Sequence, residues 1–438
     1  MLSKHSGKIN LEETVPIPTN IAHLIEQQLP AAIQMFLHSA GEFGDRDQIR
    51  VFLVGGMVRD LLIGRPSRDP DLLVQGEHLT LDDASNLARV LADAWDGKVV
   101  TYPRFGTAKI AVGDFVADVS TARVETYSAP GALPNVAPAT VEGDIGRRDF
   151  TINSLAADLS PTGFGNLLDF YNGEKDLQTR TLRILHDRSF EDDPTRLLRA
   201  VRYEARLGLQ MTPQTEDAAR QAVDYLKVVS GDRIRHELER IFEENEPEFA
   251  LNLVEELNLF QALVPAAEWS SKLAKTVTHI RRSGYESSPL VPLALLAIAM
   301  DRHSVEAFID RLNAPANWAA VMQDTYTLGE RLRSLSTLGN SRTSTLCAQL
   351  SDLAPEAIIG WGALAQDQRT RDLLINFHTK WRHVRPFLTG DDLLALNVPQ
   401  GPQIGEVLKE LLNARLDEVV LTREAEETFV RNHLASKK

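Results

Sequence analysis

The chain has 438 residues, 43% apolar and 25% charged, and its 47 Lys and Arg stand against 61 Asp and Glu for a formal net charge of −14. That length is too great for one ordinary core and calls for two to four domains in series. The single cysteine, Cys347, excludes an internal disulfide framework and a thiolate-rich zinc site, and the acidic balance argues against a protein that coats nucleic acid, although not against a local basic site.

The opening "MLSKHSGKINLEETVPIP" lacks the apolar core of a secretory signal, and no apolar run is long enough to span a bilayer. These features point to a cytoplasmic protein with no membrane partner, beginning with an extension over residues 1–45. From Gln48 to Leu155, short β-rich runs ("IRVFLVGG", "PDLLVQG", "KVVTY", "TAKIAVG", "FVADVST") surround helical stretches such as "LDDASNLARVLADAW". The expected fold class is α+β: a small mixed sheet with helices over 46–160, then mostly helical segments over 161–265, 266–385 and 386–438. Between Thr121 and Arg147 the stretch is rich in Ala, Pro and Gly and predicts a long loop. Lys175–Arg240 holds thirteen Lys and Arg against twelve Asp and Glu, one positive charge net, which leaves −15 for the rest.

In "FLVGGMVRDLLIGRPSRDPDLLVQG", a strand ending in Gly55-Gly56 leads into a helix, a geometry that offers backbone N–H groups to an anion such as a triphosphate. Arg59, one turn on, could add a charge-assisted contact; a glycine turn with a surface arginine explains the same residues. Asp69 and Asp71 sit at i and i+2 entering "LLV", so on a strand both carboxylates share a face. Like charges held together raise each other's pKa unless a cation neutralises them, and Mg²⁺ is the hard cation of choice. Asp118 in "FVADVST" is a third acid of this kind, and three such carboxylates could hold two Mg²⁺ ions for nucleotidyl transfer; polar strand ends are the alternative. Arg147, Arg148 and Asp149 precede an apolar run carrying Asn153, a set that could meet phosphate and ribose or form a salt-bridged turn. In "EDDPTRLLRAVRYEARLGL", Asp193 and Pro194 suit a helix start, and Arg196, Arg199, Arg202 and Arg206 form one strip, which a solvated face also explains.

Taken together, "GGMVRDLLIGRPSRDPD", "RRDFTINSLA", "DFYNGEKDL", "EDDPTRLLRAVRYEARLGL" and "SGDRIRHELERI", in this order over about residues 50–245, resemble the tRNA nucleotidyltransferases of the bacterial and eukaryotic class, the CCA-adding enzymes, and their relatives the bacterial poly(A) polymerases. The resemblance implies a catalytic head, a base-reading neck, a body, and a tail over 386–438 that binds tRNA. It implies catalysis through Asp69, Asp71 and Asp118, with Asp69 and Asp71 on the metal. Nucleotide binding falls to Gly55, Gly56, Arg59, Arg148, Asp149, Asn153, Asp193, Arg196, Arg199 and Arg202, with Asp193 and Arg196 reading the incoming base. Asp169 and Gly173 resemble the motif that couples head and neck; Arg233 and Glu237 fall in a supporting helix. The implied substrates are CTP, ATP and tRNA, the reaction is addition of CMP, AMP or both to the tRNA 3′ end, and the loop before Arg147 resembles the one needed for the terminal A. Ser154 stands where the family usually has Ala, and Asp192 where it often has Glu. A poly(A) polymerase is the nearest alternative, although "YPRFGTAKIAVG" lacks the arginine-rich aromatic strand of those enzymes; a tRNA-binding protein with an inactive head is the other.

Overall fold

A computed structural model describes residues 19–65, 68–76, 78, 80–285, 288–335 and 342–436. The opening of the expected N-terminal extension, residues 1–18, lies outside the described residues. The chain divides into two compact units, Met1–Val229 and Ser230–Lys438.

The first unit is built on a seven-stranded mixed sheet in the order β3-β4-β5-β2-β1-β8-β9, with β1 Ile49–Val54, β2 Asp71–Gly76, β3 Lys98–Tyr102, β4 Thr107–Val112, β5 Phe115–Thr121, β8 Leu155–Asp158 and β9 Leu167–Asp169. Only β2 and β5 run parallel among its pairs. The alternating runs of the sequence become these strands because one set of side chains is buried: Ala108, Ile110, Val112, Ala117 and Val119 lie inside. They face helix α4 Asp83–Ala94, while α2 Ala31–Arg46 lies along β1. The latter packs Phe36 edge-on against Trp95 and Phe115, at ring-centroid distances of 5.7 and 5.2 Å. The N-terminal extension therefore contributes to this unit from α1 Ala22–Gln28 onward.

Where a long loop was expected between Thr121 and Arg147, the chain forms a hairpin of β6 Arg123–Thr126 and β7 Asn135–Pro138, then helix α5 Val141–Gly146 capped by the Thr140 side chain. The two strands pair through their backbones, and ion pairs fasten β6 to the residues around it. Glu125 accepts from Arg123 and from Arg147 (2.7 Å), and Tyr127 donates to Glu125 (2.7 Å).

Helix α3 Gly56–Leu62 follows β1, and after β9 come α6 Gly173–Gln178, α7 Ser189–Asp192 and α8 Arg196–Leu207. Asp169 receives the N–H groups of Tyr171, Gly173 and Glu174, and so fastens the end of β9 to the start of α6. The second unit is helical, from Gly231–Phe242 to Arg423–Ser436. Its core includes a cluster of Leu350, Ile358, Leu374 and Phe377, and a separate C-terminal cluster around Leu393, Leu411 and Val430. Among the described residues no helix is long and apolar enough to cross a membrane.

Gly173 has no room for a side chain: a β-carbon there would stand 2.1 Å from the Thr151 carbonyl oxygen. That neighbour is backbone and cannot swing aside, so Gly173→Ala should cost about 2 kcal/mol, the usual scale of overpacking. Urea unfolding should show a lower midpoint at an unchanged slope; an unchanged midpoint would contradict the tight approach.

Candidate active site

At the end of the sheet two acids meet because the register of the parallel pair β2 and β5 sets Asp71 directly opposite Asp118. Asp69 does not join them as a strand neighbour. Pro70 precedes β2, which begins only at Asp71, so the i, i+2 alternation does not reach Asp69, and its carboxylate accepts the Val116 N–H at 3.1 Å. Asp118 is half-exposed and paired with Lys109 on β4 at 2.9 Å. Asp71 is open to a solvent probe yet recessed among protein atoms, and that desolvation pushes its pKa up to about 6, with Arg148 opposing and Asp118 adding to the rise.

Among the described residues no group of three or more His, Cys, Asp or Glu side chains converges as ligands on one point. The donor set itself fits a hard divalent cation. All three acids offer carboxylate oxygens, the donor type such a cation takes, and Asp71 and Asp118 stand directly opposite each other.

Above these acids lies the turn after β1. Gly55 has φ 68° and ψ −131°, and a β-carbon there would come 2.8 Å from Arg148 Nη1 and 3.9 Å from Asp71 Oδ2. Both conformation and space demand glycine. The Gly55 N–H is already donated to the Leu155 carbonyl at 3.1 Å, so it extends the sheet rather than waiting for an anion. The available cation is Arg148. Its guanidinium gives Nη2 to Asp144 at 3.1 Å, and among the described residues its buried Nε has no hydrogen-bond partner. Burial alone would raise the Asp144 carboxyl, but Arg148 and Arg147 more than reverse this and hold it below the usual range.

The structure turns Arg59 inward, against the expectation of a phosphate contact. Its side chain is 4% exposed and bonds Asp60 at 2.7 Å, and Nη1 donates to Asn153 at 2.5 Å. The reason is the face of α3 on which it falls, which packs against the Asn153 turn and Tyr203. Asn153 passes the contact on to Asp149 (2.9 Å), which also receives Arg199 through Nε at 2.9 Å and Nη2 at 2.5 Å. Buried Asp149 is thereby saturated, and the ribose contact expected of it is not open in this arrangement. Burial works against its charge, yet Arg199, Asn153 and Arg196 hold the carboxyl down at about 2.

The arginine strip of α8 is only partly a solvated face: Arg206 is exposed and Arg199 part-buried. Arg196 and Arg202 are each 6% exposed. Arg196 donates to Ser189 Oγ (2.6 Å) and to the Arg147 carbonyl (2.7 Å), and Arg59, Arg199 and Arg202 all lie over the ring of Tyr203, at 5.1, 5.5 and 4.9 Å. Asp193 closes a turn by accepting from the Thr195 N–H and hydroxyl, at 3.0 and 2.6 Å. The sequence reading missed Tyr203, Lys109, Asp144 and Glu125. Of these, Tyr203 was visible as the i+4 neighbour of Arg199, and Lys109 as an alternate residue of a predicted strand.

A mixed sheet carrying acids at its end, with a glycine turn and an arginine above them, defines a nucleotidyltransferase-type head. The Poly A polymerase head domain family matches residues 51–183, and the family described as the probable RNA and SrmB-binding site of polymerase A matches residues 208–269. The chain is 32% identical to the A-adding tRNA nucleotidyltransferase of Geobacter sulfurreducens over 94% of its length and 48% of that protein, so it spans about half of that relative. It is 31% identical to the A-adding tRNA nucleotidyltransferase of Halalkalibacterium halodurans over 89% of this chain and 90% of that one. Other relatives bear the names of CC-adding and CCA-adding enzymes. Among solved structures, the Thermotoga maritima CCA-adding enzyme complexed with tRNA-CCA superposes with a TM-score of 0.73 at 27% identity, covering 96% of this chain and 99% of that one. The chain belongs to the tRNA nucleotidyltransferase and poly(A) polymerase family.

The depressed Asp149 pKa carries a stability signature. A carboxyl at 3.8 when unfolded and about 2 when folded contributes about 2 kcal/mol at neutral pH, present above the unfolded pKa and lost as pH falls towards 2. Asp149→Asn should therefore be less stable than the parent at about pH 6, and the gap should close between about pH 4 and 2 in urea titrations. A gap independent of pH would show that the ionised carboxylate is not the stabilising form.

Proposed function

We propose that the chain adds AMP from ATP to the 3′ end of tRNA, with CMP addition from CTP as the broader activity open to the same site. The observation that carries this reading is the cross-strand pair Asp71 and Asp118 lying beneath Gly55 and Arg148. The A-adding names of two relatives favour the terminal step.

The RNA 3′-hydroxyl attacks the α-phosphate and pyrophosphate leaves, with no protein nucleophile. Positioning and charge neutralisation carry the rate. Arg148 meets the triphosphate, since its guanidinium already leans over the acids. Mg²⁺, two ions in the full reading, would be held by Asp69 and Asp71 with Asp118 alongside, and supplies charge for deprotonating the hydroxyl and for the departing pyrophosphate. Binding there requires Asp69 to exchange the Val116 N–H and Asp118 to loosen from Lys109. Asp193 and Arg196 read the base edge, which requires Arg196 to exchange its bond to Ser189 for one to the base. Arg196 is bonded to the Arg147 carbonyl, one residue before Arg148, so the base-reading and phosphate-binding groups share a backbone anchor. Arg59, Asp149, Asn153, Arg199 and Arg202 act as positioning residues beneath them. Residues 46–160 serve as the head and the helical segments after them as neck, body and tRNA-binding tail, in a cytoplasmic enzyme.

Transcripts of tRNA ending before the first C, the second C or the terminal A, each offered CTP or ATP alone, test this. The CC-ended transcript should gain one A from ATP. Addition of C to the shorter ends would extend the activity to full CCA synthesis, and long A tails on an unrelated oligonucleotide would replace the reading with a poly(A) polymerase. Asp71→Asn should lower incorporation by at least about 100-fold. Asp193→Asn keeps an acceptor for the Thr195 turn, so it should fold normally while its preference for ATP over CTP falls about tenfold.

A further inference from the structure

The acids of the candidate site stand at one end of a longer surface. The registers of β3, β4, β5 and β2 line up Val100, Lys109, Asp118 and Asp71 in a single row. Two residues along each strand, Tyr102, Thr107 and Ser120 form a flanking row, and Lys98, Ala111 and Val116 form another. Alternation puts all of these on the face opposite Ala108, Ile110, Ala117 and Val119, which are buried towards α4. This face is wet but not polar throughout: Val100 is 53% exposed, Tyr102 46% and Val116 38%. Val100 and Tyr102 are neighbours on one face of β3, so apolar side chains stand together in water on the same face as the acids.

We propose that this open face, from β3 to Asp118, receives the 3′-terminal strand of the RNA acceptor, an inference that rests on the function proposed above. Tyr102 offers its ring to an unpaired base, and Lys98 and Lys109 meet backbone phosphates, the pairing of stacking platform and cationic groove that binds single strands. Val100 and Val116 supply apolar floor between them. A row of four strands spans three spacings of about 4.8 Å, about 14 Å in all, the reach of about four stacked nucleotides at 3.4 Å each. The row ends on Asp118, so a strand laid along it delivers its terminal hydroxyl to the acids.

Two features argue for RNA over a protein strand. A protein strand would add through the backbone edge of β3, whereas the tyrosine, lysines and valines stand on the face of the sheet. The face is also continuous with the acids, so a protein lying over it would cover Asp118 and bar the acceptor from the reaction. Lys109 now pairs with Asp118 in a half-exposed ion pair, a weak bond that an arriving phosphate can take over.

The test uses the full chain and a CC-ended tRNA transcript, measured by fluorescence anisotropy for binding and by ATP incorporation for turnover. Tyr102→Ala should weaken RNA binding and raise the KM for RNA about tenfold, with the KM for ATP and the kcat at saturating RNA within about twofold of the parent. Tyr102→Phe keeps the ring and should restore RNA binding. Lys98→Ala should lessen the slope of log affinity against log salt by about one. The proposal is overturned if Tyr102→Ala and Lys98→Ala bind the transcript as the parent does, with the same salt slope, or if Tyr102→Ala instead raises the KM for ATP. Binding that responds as expected in a chain that transfers no nucleotide would keep the RNA surface and reject the proposed reaction.

Discussion

The geometry of the first unit depends on keeping the Asp149 carboxylate ionised out of water. An ionised carboxylate removed from solvent is costly unless strong donors surround it. Here the Phe150 N–H and Asn153, from the turn that follows Asp149 itself, do so together with Arg199, which comes from α8 fifty residues on. Asn153 in turn holds Arg59 of α3, and Arg199 belongs to α8. One charge therefore ties the helix after the glycine turn to the helix that begins beside Asp193. Tyr203 gathers the same arginines over its ring, so the guanidiniums are fixed in direction as well as in charge.

A second cluster sets the charge at the acids. Arg123, Arg147 and Arg148 stand against Glu125 and Asp144, an excess of one positive charge. Of the three arginines, Arg148 faces Asp71, and it is the leading influence drawing that carboxyl down against burial. The hairpin of β6 and β7 is part of this cluster through Glu125. The same neighbourhood pushes the Tyr127 hydroxyl well above the usual phenol range, burial first and Glu125 second, so that phenol stays a proton donor to Glu125.

The strands bearing Asp71 and Asp118 were legible because alternation and Gly or Pro punctuation are local signals. Their pairing across β2 and β5 is a matter of register, which no local signal states, and the strand alternation expected from Asp69 begins only at Asp71, after Pro70. The inward aim of Arg59, Arg196 and Arg202 was hidden for a different reason. Helical spacing locates a stripe of arginines but not the element that covers it, and in a stripe that looks solvated Arg196 and Arg202 are buried against Ser189, the Arg147 backbone and Tyr203 while Arg206 stays exposed. The hairpin escaped notice because its short strands carry little strand propensity and pair across a turn rich in Ala, Pro and Gly, while β6 is fastened to Arg147, distant in sequence, through Glu125.

The net charge of −14 also changes meaning once charges have places. At physiological salt, exposed charges more than about 8 Å apart hardly feel one another, so an RNA end at Asp118 responds to the local set and not to the sum. That local set contains Arg148, Lys109 and, one row away along β3, Lys98, with the acids they face. Lys109 already neutralises part of Asp118, and Arg148 part of Asp71. The remaining negative charge is concentrated at the acids proposed to hold a divalent cation, while the approach along the sheet is lined with lysine and exposed apolar side chains. An acidic chain can thus present a surface that admits a phosphate backbone at one place and repels it broadly elsewhere, which favours one docked RNA end over non-specific coating.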